Sequence, residues 1–119
     1  TEKELKKATS RIVTDSTPME EPKDYTTCNI FALAKLFLEN DEVEALKVRY
    51  QKGGEGYGHF KAYLNGLIWD YFAPAREKRA YYLEHKDEVL AILDEGASKA
   101  RKIATEKMRI IRDLVGIYR

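Results

Sequence analysis

Cysteine and histidine, the residues that most often act as nucleophiles or transition-metal ligands, occur at only three positions, Cys28, His59 and His85. Their separations match none of the paired ligand spacings of zinc and related sites. Cys28 lies near the start of a predicted helix, where the pKa of a thiol can be lowered enough for nucleophilic catalysis. A free cysteine that only packs in a core fits the same pattern. We therefore predict no catalytic residue and no metal site, and a thiol enzyme is the last of three hypotheses.

Basic side chains are the other groups that could do chemistry, by holding a phosphate. The net charge of +1 argues against a uniformly basic surface. From residue 96 onward, however, seven bases face only two acids. Two predicted i,i+4 pairs, Lys102 with Glu106 and Arg109 with Asp113, would use two of these bases internally. The candidate anion-binding residues are Lys61, Arg76, Arg79, Lys99, Arg101 and Arg112.

A glycine-rich stretch from Gly53 to Lys61 joins two predicted helices. It has no preceding strand and no Gly-Lys-Ser/Thr ending, so it is not a nucleotide-binding loop. We predict a tight turn that uses positive φ angles. Lys61 falls in the first turn of the next helix, where the helix dipole disfavours a cation. Either a bound anion or an internal partner such as Glu55 would account for it. The residues with predicted hinge or structural roles along the whole chain are Asp15, Ser16, Gly54, Gly56, Tyr57, Gly58, Pro74 and Gly96.

Hydrophobic periodicity predicts an all-α protein, a helical bundle of about six to seven helices. The predicted helices cover residues 2–12, 27–39, 41–52, 57–72, 75–85, 87–96 and 97–115. Pro74 suits the start of the fifth helix and Gly96 the end of the sixth. An extended acidic loop from Met19 to Thr27 separates the first two helices. Loops of this length usually serve a function or pack against another surface.

Composition limits where the protein works. The single cysteine excludes an internal disulfide and fits a reducing compartment. No apolar run approaches the roughly 20 residues of a membrane span, and the N-terminus has no signal peptide. We therefore expect a cytoplasmic protein without a membrane partner. Since the sequence has no initiator methionine and starts inside a predicted helix, we also expect a fragment of a longer chain.

Six short segments, taken in order, resemble the C-terminal part of bacterial tryptophanyl-tRNA synthetases. They are Thr14-Asp15-Ser16, Glu21-Pro22-Lys23-Asp24, Asn29-Ile30-Phe31, Gly56-Tyr57-Gly58 with Lys61, Pro74-Ala75-Arg76-Glu77-Lys78-Arg79 and Gly96-Ala97-Ser98-Lys99-Ala100-Arg101. Each segment is weakly specific, whereas six in order cover essentially the whole chain.

The resemblance implies a class I aminoacyl-tRNA synthetase, whose Rossmann-like catalytic domain precedes a helical anticodon-binding domain. Residues 1–26 would join the catalytic domain to the helical domain of residues 27–119, which would face the anticodon arm of tRNA(Trp) with the six candidate bases. The full enzyme would bind ATP and Mg²⁺, charge tRNA(Trp) with tryptophan and form a cytoplasmic homodimer. This chain lacks both ATP-handling signatures, the HIGH-type and KMSKS-type sequences, so by itself it would bind no cofactor and be inactive.

A second hypothesis requires no RNA. A helical module with unused apolar surface could dock a protein partner and would then show no affinity for tRNA. Salt-dependent binding of tRNA distinguishes the first hypothesis from the second.

Overall fold

The computed structural model describes residues Thr1 to Ile117, and this part of the chain contains helices and no strand. The six helices are α1 (Glu2–Ser10), α2 (Asn29–Ala34), α3 (Asn40–Lys52), α4 (Tyr57–Tyr71), α5 (Ala73–Glu84) and α6 (Lys86–Val115). The prediction of an all-α fold is therefore confirmed. The chain forms two compact units, which divide after Pro74. The predicted boundary after residue 26 does not coincide with this division and stays a prediction about domain organisation.

The first unit contains the hydrophobic core. Tyr50 of α3 and Phe60 of α4 lie at its centre, each only 1% exposed, with ring centroids 4.0 Å apart. Phe31 of α2 meets the Tyr50 ring edge-on at 5.5 Å. Leu64 is fully buried one turn after Phe60. This core makes α4 the element against which α1 and α2 pack.

Local sequence sets the helix ends in the first unit. Thr1 and Glu4 form a reciprocal capping box at the start of α1. At α3 the capping box uses Glu39 and Glu42. The second helix is shorter than predicted, because it covers only Asn29–Ala34 before the chain turns.

The second unit consists of most of α5 and all of α6, and neither helix has a buried residue. Pro74 lies in the first turn of α5, where its missing N–H leaves no intrahelical hydrogen bond unmade. The prediction that Gly96 ends a helix is wrong, because α6 runs through it without interruption. The helix ends instead at Gly116, whose φ of 73° is left-handed and directs the Ile117 N–H to the Arg112 carbonyl at 2.9 Å.

Candidate functional site

The basic face of α6 carries the best candidate site in the second unit. A shallow groove of about 470 Å³ on this helix is lined by Ser98, Arg101, Lys102, Thr105, Glu106 and Arg109. Within residues 1–117 neither the Arg101 side chain nor the Arg112 side chain makes a hydrogen bond or ion pair with the protein. The donors of both guanidinium groups therefore remain available to an external anion.

The other bases of α6 are partly used inside the helix. Lys99 pairs with Glu95 one turn earlier, so this candidate shares its charge with a neighbouring carboxylate. The predicted pair of Arg109 with Asp113 is confirmed at 3.2 Å. The predicted pair involving Lys102 is absent from the described residues, and Lys102 joins Arg101 as an uncommitted base on the groove.

The two candidate bases of α5 differ in their surroundings. Arg79 lines an apolar pocket of about 580 Å³ in the second unit, together with Tyr82, Leu83, Lys86, Val89 and Leu90. Arg76 is half-buried. An arginine stem that covers apolar side chains has a packing role in addition to its charge. The structure thus brings Arg79 into a mainly hydrophobic environment, in contrast to Arg101.

Lys61 has an internal partner that neither predicted explanation named. Its ammonium donates to the backbone carbonyl oxygen of Ser10 at 3.0 Å, at the C-terminal end of α1. Carbonyls at a helix C-terminus lack intrahelical partners and carry partial negative charge, so a lysine is favourable there. The suggested partner Glu55 pairs instead with Arg49, through hydrogen bonds of 2.9 and 3.1 Å. Lys61 therefore ties α4 to α1.

Arg49 is a structural residue that the sequence did not reveal. Its guanidinium lies 5.4 Å from the Phe60 ring centroid and 5.0 Å from that of Tyr63, on the outside of the core. Its hydrogen bonds to the Glu55 carboxylate hold the pKa of Glu55 below its usual value. The contact joins α3 to the glycine-rich turn, and Tyr63 packs, partly buried, against the core.

The acidic loop packs against the glycine-rich turn. Gly53 and Gly54 have φ angles of 70° and 81°, which confirms the predicted use of positive φ. The Gly54 N–H donates to the Met19 carbonyl at 2.9 Å. A Cβ on Gly53 would lie 2.5 Å from the Glu20 carbonyl oxygen, so this glycine also allows a close approach of two backbones. Gly56 and Gly58 have ordinary negative φ angles, and a Cβ on Gly56 would lie 3.7 Å from the Cγ atom of Met19, in ordinary van der Waals contact.

The Thr14-Asp15-Ser16 segment lies beside the start of α4. The Asp15 carboxylate accepts a hydrogen bond from the Thr17 N–H at 2.9 Å, and this bond chiefly lowers the pKa of Asp15. Burial, together with the nearby Asp15 carboxylate, raises the pKa of Tyr57 to about 12. Asp15, Tyr57 and Cys28 share the lining of one small pocket of about 300 Å³. Asp15 and Ser16 are both exposed, and the structural roles of Asp15, Ser16 and Tyr57 stay predictions.

Cys28 is a core residue. Its sulfur lies 3.5 Å from the Tyr50 hydroxyl, and no histidine of the described chain contacts it. Burial, and next the contact with Cys28, raise the pKa of Tyr50. Residues 1–117 contain no group of three or more potential ligands that could hold a metal ion. None of the helices in this part of the chain is long and apolar enough to cross a membrane.

Solved structures define the class to which this helical fold belongs. The chain matches the crystal structure of tryptophanyl-tRNA synthetase from Campylobacter jejuni with a TM-score of 0.95 and 57% identity, covering 98% of this chain and 38% of that one. A second crystal structure from the same organism, complexed with ADP and tryptophan, gives a TM-score of 0.94. The fold is that of the C-terminal helical domain of a class I aminoacyl-tRNA synthetase.

Sequence relatives identify the family. The tryptophan–tRNA ligase of Campylobacter jejuni (strain RM1221) is 57% identical over 116 residues, which are 98% of this chain and 36% of that protein. The ligase of Fusobacterium nucleatum is 44% identical over 117 residues, again 98% of this chain and 36% of the relative. No protein-family model matches the chain. The chain is homologous to the C-terminal part of tryptophan–tRNA ligases, and it spans about a third of the length of these curated relatives.

Proposed function

We propose that the chain is the tRNA-contacting helical part of a tryptophan–tRNA ligase, the enzyme that activates tryptophan with ATP and charges tRNA(Trp). The observation that carries this proposal is 57% identity to such a ligase over 98% of the chain. Because the chain has neither class I signature, we place the ATP, Mg²⁺ and tryptophan sites outside it and expect no aminoacylation from it alone. Its proposed partners are the anticodon arm, the catalytic domain of its own enzyme and, through the full enzyme, a second subunit in the cytoplasm.

The α6 groove and Arg112 are the proposed contact surface for the RNA backbone. Between residues 97 and 115 six bases face two acids, although the whole chain is nearly neutral. A base without an internal partner can bind a phosphate without breaking an existing contact. Arginine also donates two parallel hydrogen bonds to a phosphate. We therefore rank Arg101 and Arg112 above Lys99, which would have to give up Glu95, and above Lys61, which would have to leave Ser10.

A titration of labelled tRNA(Trp), which carries a CCA anticodon, tests this surface. The chain is compared with its Arg101→Glu/Arg112→Glu variant at several salt concentrations. The matched control is Lys3→Glu/Lys35→Glu, which makes the same change in net charge on α1 and at the end of α2. We expect the arginine variant to bind roughly tenfold more weakly or worse, and its log–log salt slope to become shallower by about 1.5 to 2, the value for two lost phosphate contacts.

Each result has a definite meaning. If both double variants lose affinity equally, the effect is one of net charge, and the assignment of the α6 face is wrong. If the unchanged chain has no salt-dependent affinity for tRNA(Trp), the proposed function itself fails. Circular dichroism of both variants verifies that α6 has kept its helical content.

A helical protein-interaction module is the second candidate function, and one observation favours it. Neither α5 nor α6 has a buried residue, and α6 exposes large apolar side chains such as Leu93 and Leu114, the latter 81% exposed. Extended apolar surface of this kind marks interaction sites. This function predicts no tRNA affinity and a defined oligomer at moderate protein concentration. Sedimentation velocity beside the tRNA titration separates the two candidates.

A further inference from the structure

The acidic loop between α1 and α2 folds back over the turn between α3 and α4. Two backbone hydrogen bonds hold it there, from the Gly54 N–H to the Met19 carbonyl at 2.9 Å and from the Lys23 N–H to the Tyr50 carbonyl at 2.8 Å. They attach the loop at the end of α3 and within the glycine turn. Residues 18–23, which we call the clip, therefore pack over this turn.

The Lys23 side chain lies inside the clip. It is only 3% exposed, although lysine is almost never fully buried unless its charge is paired. Its ammonium donates to the carbonyl oxygens of Pro18 at 3.0 Å, Met19 at 3.2 Å and Glu21 at 3.3 Å. These three bonds use all three donors of the ammonium group. No carboxylate of residues 1–117 pairs with it at ion-pair distance, and the Tyr57 ring centroid lies 5.4 Å away.

We infer that Lys23 is a positioning residue whose ammonium serves as a built-in cation for the clip. Three carbonyl dipoles that converge on one point repel one another unless a cation or a set of donors lies between them. Lys23 supplies both the charge and the donors, and its own N–H attaches the same residue to Tyr50. If only the aliphatic stem mattered, an apolar side chain of equal length would hold the clip equally well. The carbonyl contacts predict that it will not.

The clip and Lys61 together fix the path of the chain between α1 and α2. Lys61 holds the end of α1 at Ser10, whereas Lys23 holds the middle of the acidic loop near the end of α3. Both anchors of this connecting segment thus lie on or beside the glycine-rich turn. The inference does not depend on the proposed tRNA function, because it concerns contacts within the first unit.

Amide hydrogen exchange of the 119-residue chain tests the inference. Lys23→Met keeps the length of the stem and removes the ammonium, and Lys52→Met is the matched control at an exposed lysine on the end of α3. We expect the Gly54 N–H to exchange at least about tenfold faster in Lys23→Met, since its acceptor lies in the clip, with the amides of the α4 core unchanged. The control should leave Gly54 unchanged. Equal rates at Gly54 in Lys23→Met and in the unaltered chain would overturn the inference.

Chemical rescue separates charge from packing. Lys23→Ala leaves room for propylammonium, which should slow the exchange of Gly54 again. Tetramethylammonium, which has the same charge and no N–H donor, should not. If both cations act alike, or neither acts, the three hydrogen bonds do not hold the clip.

A measurement on the unaltered chain tests the inference even if the variants fail to fold. In a ¹H–¹⁵N spectrum of the lysine ammonium groups, the protons of Lys23 should exchange with water more than tenfold slower than those of the exposed Lys52. An equally fast exchange of the two groups would contradict the inference.

Discussion

Two neighbouring glycines offer a direct test of how the acidic loop meets the α3–α4 turn. Gly53 and Gly54 both have positive φ angles, so alanine at either position costs about 1–3 kcal/mol in backbone strain. Gly53, with a φ of 70° and a ψ of −175°, lies in a region that is nearly exclusive to glycine. Their surroundings differ. A Cβ on Gly53 would lie 2.5 Å from the Glu20 carbonyl oxygen, whereas a Cβ on Gly54 would have nothing within 4 Å.

The structure gives the size of the expected difference. Gly54→Ala should cost the strain alone, about 1–3 kcal/mol. Gly53→Ala adds a clash with backbone, which cannot rotate away as a side chain can, so the clip must lift from the turn. Lifting breaks at least the hydrogen bond from Gly54 to Met19, and a net hydrogen bond contributes about 0.5–1.5 kcal/mol. We therefore expect Gly53→Ala to lose about 1–2 kcal/mol more than Gly54→Ala.

Urea unfolding followed by Trp69 fluorescence measures this difference. Trp69 is the only tryptophan and lies on α4, so it reports the unit that contains the turn. Combining Gly53→Ala with Lys23→Met should cost less than the sum of the two changes, because each of them releases the same clip. Equal losses of stability in the two alanine variants would refute the reasoning. Backbone strain would then account for both losses, and the clash with the Glu20 carbonyl would contribute nothing.

Two further predictions concern single residues. Because Arg49 lowers the pKa of Glu55, that pair stabilises the fold above the ordinary pKa of 4.5, and its contribution is lost as the pH falls through the lower folded-state value. Glu55→Gln should accordingly lower stability by roughly 0.5 kcal/mol at pH 7 and leave it unchanged near pH 2. Urea unfolding measures this effect, and midpoints that differ from those of the unaltered chain equally at both pH values would contradict the pairing. Gly96→Ala should stabilise α6 by about 0.5–1 kcal/mol, because Gly96 has a helical backbone and open space around its Cα. Circular dichroism measures this effect, and a fall in helicity or melting temperature would contradict that description.

The long helix α6 shows where sequence patterns were sufficient and where they failed. Its end near Val115 was predicted correctly. Gly96 was taken as a terminator because glycine often ends helices. In the interior of a helix, however, glycine costs only about 1 kcal/mol, and the Glu95–Lys99 ion pair spans the position on the helix surface. A glycine terminates a helix only when the following residues favour leaving it, and Ala97 to Ala100 do not.

The sequence could not predict the partners of Lys61 and Lys23, because these partners are backbone carbonyls and that of Lys61 is distant in the chain. Lys61 was recognised as unusual, but its partner lies 51 positions earlier and is a backbone carbonyl. Lys23 appeared in the sequence analysis only within the segment Glu21-Pro22-Lys23-Asp24. Its acceptors are also carbonyls, which every residue carries, so no pattern of side-chain types marks the site. The signal that was available is indirect, since a lysine within an otherwise acidic loop requires a reason to be there.

These contacts change how the candidate RNA surface can be tested. Lys61→Glu would repel the Ser10 carbonyl and release the end of α1, so weaker tRNA binding by that variant would not distinguish a lost phosphate contact from a disturbed fold. Lys99→Glu would place a like charge beside Glu95 and strain α6 in the same way. The Arg101 and Arg112 side chains have no hydrogen-bond or ion-pair partner within the described chain, so their replacement breaks no such contact. The bases that hold the structure together are thus poor probes of function, and the uncommitted arginines of α6 are the informative ones.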